Sequence, residues 1–101
     1  MMNLLDETIH ALQTACKTPK DVRWVGTRAA AWTWDDFASL ASGIEYDNGY
    51  GGQEIHSDLV VVGDDWWLER GEYDGSEGWE FKTLPKRQGA VGLSTLVLKR
   101  G

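Results

Sequence analysis

Three features of this 101-residue sequence predict an α+β fold, with two helices packed on an antiparallel meander of about four to six strands. Two early segments repeat their apolar residues at helical spacing. Later segments carry short β-branched or aromatic runs. Glycine-containing turns separate those runs at hairpin distances. Length and a hydrophobic content of 42% fit a single globular domain over residues 1–101.

Leu5, Ile9, Leu12 and Cys16 stand at i, i+4, i+7 and i+11, one stripe of a first helix. Asn3 is its expected N-cap, with Asp6 at the positive end of the dipole. Thr18-Pro19 is expected to end it, because the residue before proline avoids helical backbone. Residues 22–25 then read as a short strand, turned by Gly26-Thr27-Arg28 into residues 29–32. A second helix follows, capped by Thr33, with Asp35 and Asp36 in its first turn. Trp32 and Phe37 have the spacing of a hydrophobic staple. Phe37, Leu40, Ala41 and Ile44 continue its inner face up to Gly43.

Residues 45–57 read as one long loop, marked by Asn48-Gly49 and Gly51-Gly52. The apolar run 59–62 has the composition of a central strand. Gly63-Asp64-Asp65 turns it into a strand over 66–70, and Asp74-Gly75 turns that into one over 79–83. A last strand is expected over 93–98. The expected core comprises Leu5, Ile9, Leu12, Phe37, Leu40, Val60, Val61, Val62, Trp79 and Phe81, with Trp24 and Trp32 facing it.

Charge is sorted along the chain. From Asp35 to Glu80 there are thirteen acidic residues and one basic residue, Arg70. Such a block repels itself, which points to a basic partner surface. The net charge of -6 argues against direct binding of nucleic acid or an anionic membrane. No apolar run reaches the roughly 20 residues of a membrane span. The amino terminus lacks signal-peptide features, and a lone Cys16 fits a reducing cytoplasm.

No reaction is named by the motifs. The carboxylates around residues 64–74 do not match the spacing of a calcium loop, and neither His10 nor His56 has a zinc-motif partner. Cys16 lies on an apolar stripe, and nucleophile, phosphate-loop and dinucleotide motifs are absent. The expectation is therefore a non-enzyme with no cofactor and no metal. Arg70 is expected to stack on an aromatic ring or to neutralise a carboxylate.

Trp66 and Trp67 are adjacent in a strand and must point to opposite faces. One of them on an open face would be an interface anchor. Same-parity strand residues lie about 6.6 Å apart, and phosphates of one DNA strand about 3.4 Å apart, so neighbouring acidic strands approach a duplex-like charge density. The expected partner surface therefore takes its charge from Asp47, Glu54, Asp64, Asp65, Glu69, Glu72, Asp74 and Glu77. Its anchors are Tyr46, Tyr50, Trp67 and Tyr73.

The stretches WTWDDFASLA, YDNGYGGQEI and DLVVVGDDWWLERGEYDGSEGWEFKTLP resemble small proteins encoded by bacteriophages and other mobile elements. The likeness covers residues 22–86 and is most distinctive over 60–81. In size, charge and setting the chain is similar to anti-CRISPR proteins, some of which act as DNA mimics. That resemblance implies an inhibitor in the bacterial cytoplasm. Its partner would be a basic nucleic-acid-binding host protein, such as the DNA-recognition subunit of a CRISPR-Cas surveillance complex. The alternative is a phage structural or accessory module that binds proteins without mimicking DNA.

Overall fold

Asn3 accepts the Asp6 backbone N–H on its side-chain oxygen at 3.1 Å, and this cap starts α1, Leu4–Thr14. The computed structural model describes residues 1–47, 55–73 and 76–84. The buried line of α1 is Leu4, Thr8 and Leu12, which keeps Leu12 of the predicted stripe but runs through Leu4 and Thr8 in place of Leu5 and Ile9. Leu5 and Ile9 are therefore only half-buried. The helix also stops at Thr14, before the proline. Lys17 N–H reaches the Leu12 carbonyl at 2.8 Å, and Cys16 N–H reaches that of Gln13 at 2.9 Å. This pair of bonds is a Schellman cap. Cys16 fills its left-handed position at φ 60° and is exposed, so it leaves the core it was expected to join. Thr18-Pro19 instead opens a single 3₁₀ turn, Pro19–Asp21, in which the Asp21 carboxylate accepts the Thr18 N–H at 2.8 Å.

Thr33 caps α2, Trp34–Ala41, by accepting the Asp36 N–H at 3.1 Å. Asp35 and Asp36 occupy the first turn, where they oppose the helix dipole. Phe37 and Ala41 face inward, and the Trp34 ring lies 5.5 Å from that of Phe37. Leu40, expected inside, is exposed. It lines the rim of an apolar cleft of about 350 Å³ bounded by Trp32, Ile44, Ile55 and Leu59.

Seven strands form two antiparallel sheets among the described residues. The smaller pairs β1, Met2–Asn3, with β4, Glu45–Tyr46. This ribbon falls where a loop was expected, because two-residue strands show no periodicity. The larger sheet has the order β3-β2-β5-β6-β7. Its strands are β2 Trp24–Gly26, β3 Ala31–Trp32, β5 Val60–Val62, β6 Trp66–Tyr73 and β7 Ser76–Thr83. The predicted hairpins 22–32 and 66–83 and the central place of the valine run are present. The strand expected over 93–98 lies outside the described residues.

Cross-strand register sorts the large sheet into two faces. Trp32, Val25, Val61, Leu68 and Phe81 form one row across all five strands. Both helices pack on this inner face, where Val25, Val61, Trp66 and Leu68 join Leu4, Leu12, Phe37, Ala41 and Tyr46 in the core. Phe81, at the strand edge, keeps 41% of its surface exposed, but its ring stacks on Trp66 at 6.0 Å. A Cβ at Gly63 would stand 2.1 Å from the Trp66 ring, so only glycine lets the strand turn so close to that indole.

Candidate partner-binding surface

The outer face carries two further rows. One runs Ala31, Gly26, Val60, Glu69, Glu80; the other runs Trp24, Val62, Trp67, Lys82. Among the described residues neither helix packs here. Trp24, expected to be buried, is 41% exposed on this face, and Val60 and Val62 are half-buried there. The valine run thus divides, with Val61 inside and its neighbours outside, as strand alternation requires.

Trp66 and Trp67 part in the same way. Trp66 is buried in the core, and Trp67 stands half-buried on the outer face. The Trp67 indole N–H donates to Glu69 Oε1 at 2.7 Å, which fixes the ring beside the carboxylate. Glu80 is the register partner of Glu69 and lies 3.6 Å from the Lys82 ammonium. Two tryptophans, two valines and two glutamates therefore share one open surface. Asp65 and Glu72 are exposed on the strand that carries Trp67 or at its turn. Asp47 is exposed as well.

Several carboxylates of the acidic block have other duties. Asp64 takes the Arg23 guanidinium on both oxygens at 2.8 Å, which raises the pKa of that arginine. Asp58 accepts the Arg28 backbone N–H at 3.0 Å, and that bond holds its carboxyl below the usual aspartate value.

Two of the expected surface residues are inside. Tyr46 is 3% exposed and Glu77 is 4% exposed, so neither reaches a partner. Both serve Arg70, whose guanidinium is fully buried. Its Nη2 donates to Glu77 at 2.8 Å and to the Tyr46 hydroxyl at 2.9 Å, and its Nη1 donates to Glu7 at 3.1 Å. The Tyr46 hydroxyl in turn donates to Glu7. The guanidinium also lies 4.7 Å from the Trp79 ring centre. Both roles expected of Arg70 are thus present. Burial alone would lower its pKa, but the bonds to Glu77, Tyr46 and Glu7 raise it. A buried charge needs such compensation, because an unpaired one costs several kcal/mol. This cluster was missed as a unit, since its members come from four separate elements.

Tyr50, Glu54 and Asp74 lie outside the described residues, and Tyr73 is described only as backbone paired with Ser76. Among the described residues no group of three His, Cys, Asp or Glu could hold a metal ion, and no helix is long and apolar enough to cross a membrane. Comparison with protein-family models, curated proteins and solved structures found no match to this chain.

Proposed function

We propose that this chain is a non-enzymatic binding protein that seats the outer face of its sheet on a basic surface of another protein. Its function on this reading is to occlude that surface, as an inhibitor of a nucleic-acid-binding host protein does. The supporting observation is Trp67, presented on an open face with its indole held by Glu69. A large amphipathic ring fixed before contact loses little entropy on binding, which is why tryptophan is enriched at hot spots. Carboxylates beside it select a positively charged partner.

The resemblance to anti-CRISPR proteins adds a finer reading, mimicry of duplex DNA. Engagement of Asp58, Asp64 and Glu77 within the fold leaves fewer carboxylates for a phosphate-like ladder. A protein-type contact, apolar at its centre and acidic at its rim, therefore has the better support. The test is to capture partners from a bacterial lysate, identify them by mass spectrometry and measure binding with the purified partner. Affinity should fall steeply with salt, and Trp67→Ala should raise the off-rate. Competition by duplex DNA separates mimicry from the plain contact. Binding that ignores both ionic strength and the Trp67 substitution contradicts the proposal.

A further inference from the structure

β7 is an eight-residue strand at the end of the sheet, and among the described residues nothing pairs with its far side. The phase of its hydrogen bonding follows from one contact just beyond it. The Leu84 N–H donates to the Asp65 carbonyl at 2.9 Å. Hydrogen-bonded and non-bonded pairs alternate along an antiparallel ladder. Lys82, Glu80 and Gly78 therefore spend their backbone groups on β6, while Thr83, Phe81, Trp79 and Glu77 turn theirs to the outer edge. A row of outward N–H and C=O groups is a template for another strand.

We propose that this edge pairs with β7 of a second copy, antiparallel, about a two-fold axis at Phe81. Only a residue with outward backbone groups can sit on the axis of a hydrogen-bonded pair. With Phe81 there, Glu80 faces Lys82 of the second copy and Lys82 faces its Glu80, so one surface complements itself twice. Trp79 then faces Thr83. An axis at Trp79 would set Glu80 against Gly78, and an axis at Thr83 would set Lys82 against Leu84, so neither matches charge.

Two local features agree with that register. Glu80 and Glu69 are directly opposed like charges, a destabilising pair that a second Lys82 would relieve. Phe81 and Leu84, at 41% and 57% exposure, are large apolar side chains left uncovered at this edge. The contact uses Glu80 and Lys82 at the margin of the outer face, and it would join two outer faces into one continuous surface.

Sedimentation across about 10 µM to about 1 mM, the range of a small edge contact, tests the proposal. Wild-type protein should show a reversible monomer–dimer equilibrium. Glu80→Lys and Lys82→Glu should each weaken it at least about tenfold, since each sets like charges together twice. The double variant Glu80→Lys/Lys82→Glu should return to within about threefold of wild type. Circular dichroism establishes that all three variants fold. A wild-type monomer at about 1 mM, or a double variant that associates no better than the single ones, overturns the proposal.

Discussion

At the level of single residues, neighbours in sequence have opposite fates. Trp66 fills the core and Trp67 stands on the open face, a split that strand alternation makes legible without coordinates. Which of the two is inside depends on where the helices lie, and alternation alone does not carry that. The caps at Asn3 and Thr33 were readable because a cap involves one side chain and an N–H three residues on. Cys16 was not, because a Schellman cap is usually announced by glycine. A non-glycine residue at φ 60° carries a steric cost. Cys16→Gly should therefore raise unfolding stability by about 0.5–1 kcal/mol, the relief of strain exceeding the added freedom of the unfolded chain. Gly63→Ala should do the reverse and cost about 1–3 kcal/mol, because its Cβ meets the buried Trp66 ring. Urea titration of both variants checks the two signs.

Between elements, the Arg70 cluster ties α1, β4, β6 and β7 through polar contacts inside the core. Its bonds span up to 63 positions of sequence, and Glu7, Tyr46, Arg70 and Glu77 share no periodicity. The hairpins were legible because their turns are local; this cluster had no local signal. Arg70→Ala should cost about 3–5 kcal/mol, since it leaves two carboxylates inside without their cation. Chemical denaturation measures that loss. The cluster also sets an alkaline limit. Burial, then the bond to Glu7, pushes the Tyr46 hydroxyl above its ordinary value of 10.0. A raised folded-state pKa favours the protonated folded form, so this stabilisation is complete below pH 10 and fades as pH rises past it. Tyr46→Phe should flatten the decline in stability above pH 10. Asp21 behaves in the opposite sense. The Thr18 N–H holds its pKa below the ordinary 3.8, so its contribution is present above about pH 4 and is lost on further acidification. Asp21→Asn should flatten the acid limb of the same profile.

Across the whole molecule, both helices on one side leave the sheet with two unlike faces. The inner face buries Val25, Val61 and Leu68, while the outer face presents Trp24, Val62, Trp67, Glu69 and Glu80. The acidic block was legible as composition, but its distribution was not. Some of its members pair with Arg23, accept the Arg28 N–H or neutralise Arg70, and those duties depend on tertiary contacts. The outer face is the part of the block's territory that joins aromatic surface to carboxylate. Comparative affinity for a partner captured from a bacterial lysate tests that claim most directly. It pairs the wild-type chain with Trp67→Ala/Glu69→Lys, and with Asp35→Lys as a charge control on the helical side. The outer-face variant should bind at least about a hundredfold more weakly, the loss expected for a hot-spot ring and a reversed charge together, with the control near wild type. Equal losses in both variants, or none in either, would contradict the assignment of the outer face as the binding surface.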